Sequence, residues 1–196
     1  MKKLAILLLI NLFLHPTYGI KKDSVLVLFV YGSKPLTSGE EKWFGGIHGG
    51  HVSIQYKNKF ISFIPNDGFH YISKKNKKSA FVIEEENYFV FDTTNSRYLI
   101  ISIPVDSIQK AKLDSVCEQR LKDPVYDYAF IGMRCASAAY ELLSAAGIYK
   151  TKRLGTLKRK YFYPKLLRKK MIKEAKLNHW HMVYRKGKTS RKWEKD

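Results

Sequence analysis

The sequence is short of cysteine and of acidic residues. Cys117 and Cys135 are its two cysteines, too few for a disulfide scaffold or for a structural zinc site built from thiolates. Asp and Glu number 17 against 36 Lys and Arg, which gives a formal net charge of +19. This excess indicates attraction to phosphate, acidic polymer or anionic membrane, and it does not bear on the fold.

Long hydrophobic runs are also missing. The apolar run at 4–14 is shorter than the ~20 residues that a membrane-spanning helix needs, and His15-Pro16 ends it. Two lysines precede this run, and Thr17-Tyr18-Gly19 supplies small residues at the two positions that signal peptidase reads. The pattern is that of a secretory signal peptide. We therefore expect residues 1–19 to be removed and the protein to be exported to the periplasm, the cell envelope or the medium.

The remaining chain can bury a core, because 45% of all residues are apolar and 14% are aromatic. Strand patterns come first and helical patterns follow, an order that predicts an α+β domain over 20–150 with a basic extension at 151–196 packing on it. The predicted strands are 24–31, 51–56, 60–64, 80–84, 88–91, 98–103 and 180–185. The predicted helices are 107–121 behind an Asp106 cap, 133–146 and 164–177.

Basic charge is concentrated after residue 149, where eighteen Lys or Arg face Glu174, Glu194 and Asp196. Two interpretations stay open: a solvated basic surface, or docking on an anionic cell-wall polymer or phospholipid membrane, with Arg168-Lys169-Lys170 as its cluster. Nucleic acid is not expected as a partner, because no recognition motif accompanies the charge and export would separate the two. The oligomeric state is not predicted.

Cys135 is the first candidate for chemistry, since it opens a predicted helix that is apolar almost all round. Unpaired backbone N–H groups and the positive end of the helix dipole favour a thiolate at such a position. Two other interpretations stay open. Cys135 is a small core residue, as free cysteines often are, or it forms a disulfide with Cys117, which an export route permits.

His51 is the best placed base for a cysteine nucleophile. Strand alternation puts it on one face with Ser53 and Gln55, behind two glycines that leave room for a substrate. With 57–58 as a two-residue turn, Tyr56 pairs with Lys59, and Ser62 and Asn66 become the diagonal neighbours of His51. Either side chain has the position needed to orient the imidazole.

These residues resemble a known family. The string Gly-Gly-His51-Val-Ser-Ile-Gln-Tyr precedes, by many residues, Tyr126-Asp-Tyr-Ala-Phe-Ile-Gly-Met-Arg-Cys135-Ala-Ser-Ala-Ala-Tyr-Glu-Leu-Leu. The order and spacing are similar to those of the circularly permuted papain-fold cysteine hydrolases. These include the YiiX-like amidases, a cell-wall cysteine peptidase superfamily, and more distantly the lecithin–retinol acyltransferase group. The resemblance covers about 24–148 and implies an antiparallel sheet or barrel packed against the buried cysteine helix.

The resemblance also implies roles for individual residues. Cys135 matches the nucleophile and His51 the general base, while the third catalytic position on the next strand is held by Ser62 instead of an acid. A serine orients an imidazole less strongly than a carboxylate, so Asn66 and Asp67 stay open as alternatives. Substrate-lining positions are expected at Tyr126, at Gly50 and at Arg134.

The chemistry that the resemblance implies is acyl transfer through a thioacyl enzyme, which requires no metal and no cofactor. Amides or esters of a peptide-like substrate such as cell-wall peptide, or of a lipid, are the expected targets, with hydrolase and acyltransferase outcomes both open. The alternative is a non-catalytic binding module of the same fold that its basic tail attaches to an anionic surface. Cys135 and His51 favour the enzyme, and Ser62 favours the module.

Overall fold

A computed structural model describes residues 23–31, 50–65, 70–73, 79–84 and 97–185. Five earlier predictions lie outside these residues: the signal peptide, the strand at 88–91, roles for Asn66 and Asp67, and the end of the basic tail after 185. The cleavage and export predictions therefore stay predictions. No helix within the described ranges combines the length and the apolar character needed to cross a membrane.

The described chain folds around one antiparallel sheet. Its six described strands are ordered β5-β3-β2-β1-β6-β8, and β4 pairs in parallel with β7 beside it. The strands are β1 (Asp23–Tyr31), β2 (His51–Tyr56), β3 (Lys59–Pro65), β4 (His70–Ile72), β5 (Ser79–Glu84), β6 (Arg97–Val105), β7 (Ala129–Ile131) and β8 (Met182–Arg185).

Four helices lie between β6 and β8 within the described residues: α1 (Ser107–Lys122), α2 (Cys135–Ala145), α3 (Leu154–Lys160) and α4 (Pro164–Leu177). Asp106 caps α1 as predicted, since its carboxylate accepts from the Gln109 backbone N–H at 2.7 Å and Gln109 reciprocates. Gly147, just past α2, has φ of +77°, the left-handed conformation that ends many helices. Pro164 opens α4, where its missing N–H costs nothing.

The core lies between the sheet and α2. Every second residue of β1 and β6 is buried, as alternation predicts, and α2 is buried on nearly all sides. This helix contacts β2, β3 and all three other helices. Because α2 lies across β2 and β3, the cysteine that begins it comes close to the histidine that begins β2.

The α+β prediction is confirmed, and so is the packing of the cysteine helix on a mainly antiparallel sheet. The sequence analysis missed β4, β7 and α3, each too short to produce a clear period. It was wrong about Arg168, which is 1% exposed with its guanidinium 3.6 Å from the centre of the Tyr31 ring. The ring attracts the buried cation, so this arginine is part of the core and not of a solvated basic cluster.

Candidate active site

Cys135 and His51 lie together, although 83 residues separate them in the chain. Cys135 is the first residue of α2 and is 4% exposed, whereas the His51 side chain at the start of β2 is 27% exposed. Their side chains are close enough for His51 to act on the thiol through hydrogen bonding and charge, and the backbone N–H of Val52 acts on the sulfur in the same direction. The structure therefore brings together the pair that the sequence predicted as nucleophile and base.

Each member of this pair shifts the protonation of the other. Burial alone raises the pKa of the Cys135 thiol, but the hydrogen bond and charge of His51, the nearby Arg134 charge and the Val52 N–H outweigh it and hold that pKa below the ordinary value. Burial alone lowers the pKa of His51, but hydrogen bonds to Cys135 and to Glu84 raise it to about 10. The geometry therefore favours a thiolate beside an imidazolium at neutral pH.

A chain of hydroxyl groups connects His51 to a carboxylate. The Nε2 atom lies 2.8 Å from Ser62 Oγ, Ser62 Oγ lies 2.7 Å from Ser53 Oγ, and Ser53 donates to Glu84 Oε2 at 2.9 Å. Because Ser53 uses its proton on Glu84, Ser62 donates to Ser53 and accepts from Nε2–H. This direction of donation leaves the Nδ1 atom of His51 for the thiol.

Glu84 also acts on His51 directly, with Oε1 at 3.5 Å from Nε2. Burial works to raise the pKa of this carboxyl, but the hydrogen bond and charge of His51, together with the Ser53 hydroxyl, lower it overall. Glu84 therefore stays ionised and stabilises the imidazolium. The serine at the predicted third position does not replace a carboxylate. It lies between His51 and a carboxylate, that of Glu84, in the chain of hydrogen bonds.

Sequence reasoning missed Glu84, although the register of the sheet explains it. Ser53 pairs with Ser62, Ser62 pairs with Val82, and Glu84 is two residues further along β5 on the same face. A strand at 80–84 was predicted, and its terminal glutamate was the available signal. The sequence does not specify which residue of β5 pairs with Ser62, because the chain between β3 and β5 is too long to fix their register as a short turn does.

A second missed residue is Tyr128, whose hydroxyl hydrogen-bonds both Cys135 and Arg134. Burial and the Cys135 charge raise the pKa of this phenol, so it remains a hydrogen-bond donor. Arg134 is itself buried, with its guanidinium 4.7 Å from the ring centre of Phe162 and 5.4 Å from that of Tyr163. Tyr128 therefore fixes the thiolate to a cation that aromatic rings hold in place.

Tyr126 has different partners from those of Tyr128. Its hydroxyl donates to Glu141 Oε2 at 3.1 Å, and Glu141 also accepts from Arg120 at 2.8 Å. The Tyr126 ring packs edge-on against Phe63, with 5.1 Å between centres. This network ties the segment that precedes β7 to α1 and α2, and a substrate-binding role for Tyr126 stays a prediction.

Gly50 is glycine for a reason other than room for substrate. It has φ of +87°, and a Cβ there would lie 2.6 Å from the Val30 carbonyl oxygen and 3.0 Å from Tyr31 Cβ. The space that its missing side chain leaves is filled by β1. Gly50 therefore lets the chain turn closely past β1 into the strand that begins with His51.

Cys117 does not share the character of Cys135. Both are free thiols in the structure, so the disulfide interpretation has no support there. Cys117 is fully buried in α1, and burial with the nearby Asp114 charge raises its pKa to about 12. It is a packing residue with negligible thiolate at neutral pH.

Comparison with known proteins identifies no relative for this arrangement: no family model matches the chain, and neither the curated proteins nor the solved structures give a significant match.

Proposed function

We propose that this chain is an exported cysteine hydrolase of the circularly permuted papain-like fold, an amidase or peptidase that works through a thioacyl intermediate on Cys135. The observation that carries the proposal is the placement of Cys135, at the start of α2, beside His51, at the start of β2, with Glu84 Oε1 3.5 Å from the Nε2 atom of that imidazole. Two further features support it: the histidine strand precedes the cysteine helix in the chain, and Glu84 supplies the carboxylate that the sequence analysis did not identify.

Acylation begins with the Cys135 thiolate attacking the carbonyl carbon of an amide or ester. A C–S bond forms, and the carbonyl oxygen takes the electron pair. Backbone N–H groups in the first turn of α2 point toward this region and stabilise the oxyanion. His51, held as an imidazolium by Glu84, then protonates the leaving amine or alkoxide as its bond to carbon breaks.

Deacylation uses the same groups in reverse. Neutral His51 removes a proton from water, the hydroxide adds to the thioester carbonyl carbon, and the C–S bond breaks to release a carboxylic acid and the thiolate. Replacement of water by another nucleophile gives an acyltransferase. Peptide crosslinks of the cell wall and lipid acyl groups both contain the required carbonyl.

The direct experiment is a burst assay with p-nitrophenyl acetate on the protein lacking residues 1–19. One equivalent of p-nitrophenolate should appear rapidly, with an acetyl group on Cys135 found by peptide mass spectrometry. Cys135→Ser and His51→Ala should each abolish the burst with the fold retained, whereas Cys117→Ser should leave it intact. Acetylation that is equal on both cysteines, or that survives His51→Ala, would remove the proposal.

The non-catalytic binding module is less well supported. The sequence favoured a binding module because a serine, Ser62, holds the third catalytic position in place of an acid. Glu84 removes that reason, since its carboxylate lies 3.5 Å from His51. A module also has no need for a lowered thiol pKa at Cys135. A catalytic burst on Cys135 separates the two functions, because a binding module produces none.

A further inference from the structure

A groove of about 550 Å³ lies between α3 and α4, in the basic extension after residue 150. Its apolar lining includes Leu166, Leu177 and the ring of Tyr161, and three of its lining residues are Lys160, Lys170 and Lys173. The Tyr161 hydroxyl is buried and has no hydrogen-bond partner in the described part of the chain. The groove therefore combines apolar walls with basic side chains.

The positive charge around this groove is only weakly compensated. Its one acid, Glu174, is bound by Lys170 and accepts from the Tyr149 hydroxyl at 2.8 Å. The described residues contain no ion pair of Lys160 or Lys173. These two lysines are exposed and remain available to an anion.

The outer face of α4 extends the same chemistry. Leu167, Met171 and Ala175 pack inward, so residues at i, i+3, i+7, i+10 and i+11 of the opposite face point to solvent. That outer face is formed by Leu166, Lys169, Lys173, Lys176 and Leu177. Three lysines therefore lie between two leucines, which are 45% exposed at residue 166 and 68% exposed at residue 177.

We propose that this α3–α4 face docks on the surface of an anionic phospholipid bilayer. Lysines pair with lipid phosphates, while leucines enter the boundary between headgroups and acyl chains. The inference is independent of the thiol chemistry, and it replaces the cluster that the sequence suggested, since Arg168 belongs to the core.

The exposed leucines decide between a membrane and a hydrated anionic polymer. A polymer pairs with lysines and gains nothing from an apolar side chain, whereas a bilayer removes that side chain from water. Lysines beside such leucines also extend their charged ends toward phosphates while their carbon chains stay on the apolar boundary.

The test is co-sedimentation with phosphatidylcholine vesicles, with and without phosphatidylglycerol. The protein should bind only the anionic vesicles, and more weakly as salt rises. Lys169→Gln with Lys173→Gln should weaken binding about 25-fold, at roughly fivefold for each lysine near the surface. Leu166→Ser with Leu177→Ser should weaken it about tenfold through lost apolar burial.

Helix α1 offers matched controls, because Lys112, Lys122 and Ile108 are exposed there. Lys112→Gln with Lys122→Gln removes the same charge, and Ile108→Ser removes a similar apolar group. Both should change vesicle binding less than twofold, and Cys135→Ser should bind as the wild type does. The substituted lysine, leucine and isoleucine positions are all exposed, so thermal unfolding of those variants should be little changed.

Three results would each overturn the proposal. The first is no binding to anionic vesicles. The second is a leucine variant that binds like the wild type while soluble polyglutamate displaces the protein fully, which indicates polymer docking. The third is equal losses from the α1 and α4 lysine variants, which indicates general charge attraction without a site.

Discussion

Glu84 Oε1 lies 3.5 Å from His51 Nε2, although the two residues are on strands that do not pair with each other. The intervening strand β3 contributes Ser62, which bonds the same nitrogen at 2.8 Å. Carboxylate, hydroxyl and imidazole thus occupy one face across three adjacent strands. This face raises the pKa of His51, and His51 in turn lowers the pKa of the Cys135 thiol.

Glu84→Gln should move the alkaline limit of activity to lower pH. The pKa of His51 is raised to about 10, so the imidazolium persists up to that pH and is lost above it. Removing the Glu84 charge lowers the pKa of His51, and the alkaline limb of kcat/KM should follow. Ser53→Ala keeps the carboxylate and should move the limb less. An identical limb in Glu84→Gln and the wild type would show that the carboxylate does not act on His51.

Tyr128→Phe should make the thiolate harder to form. The phenol hydrogen-bonds the sulfur, so its loss raises the pKa of Cys135 and should reduce turnover between about 10- and 100-fold, the worth of a hydrogen bond to a charged group. The pH profile of Cys135 alkylation provides the measurement. Tyr126→Phe is the matched control, since that hydroxyl bonds Glu141, and it should leave the alkylation profile unmoved. Equal shifts in the two variants would count against a specific role for Tyr128.

Gly50→Ala should destabilise the fold by about 2 kcal/mol or more. The added Cβ meets the Val30 carbonyl oxygen at 2.6 Å, and φ of +87° is strained for alanine. Urea unfolding measures the loss. At Gly155, in α3, an added Cβ meets nothing within 4 Å, so Gly155→Ala should be neutral or stabilising by up to about 1 kcal/mol. Tolerance of alanine at residue 50 would mean that β1 does not confine this turn.

Arg168→Ala should lower the free energy of unfolding by about 2 kcal/mol or more. The variant loses a desolvated cation–π contact with Tyr31 and leaves a cavity in the core. Its exposed neighbour provides the comparison: Lys169→Ala should stay within about 0.5 kcal/mol of the wild type. Chemical denaturation measures the free energy of unfolding of both variants. Equal losses in Arg168→Ala and Lys169→Ala would show that Arg168 behaves as a surface residue.

Local sequence patterns predicted the part of the site that lies on the β2–β3 hairpin. Lys57, with φ of +53°, forms the two-residue turn that pairs Tyr56 with Lys59, and the same register brings Ser53 opposite Ser62. The helix period identified Cys135 as the start of a buried helix. These features depend on neighbours in sequence.

What the sequence did not predict depends on contacts across the fold. Glu84 reaches His51 because β5 pairs with β3 in one register, which no local pattern specifies. Arg168 lies in the core because its guanidinium makes a cation–π contact with the ring of Tyr31, which is far away in sequence. Arginine is usually a surface residue, so the burial of Arg168 cannot be predicted without knowing how α4 packs on the sheet.

The central claim is that His51 maintains a reactive thiolate on Cys135, and the alkylation rate of each cysteine as a function of pH tests it most directly. Iodoacetamide labelling with peptide mass spectrometry should show Cys135 reacting well below the ordinary thiol pKa of about 8.5. In His51→Ala the Cys135 profile should move to higher pH, and folded Cys117 should stay unlabelled, since its pKa is raised to about 12. A Cys135 profile centred on the ordinary thiol pKa, and unchanged in His51→Ala, would contradict the account.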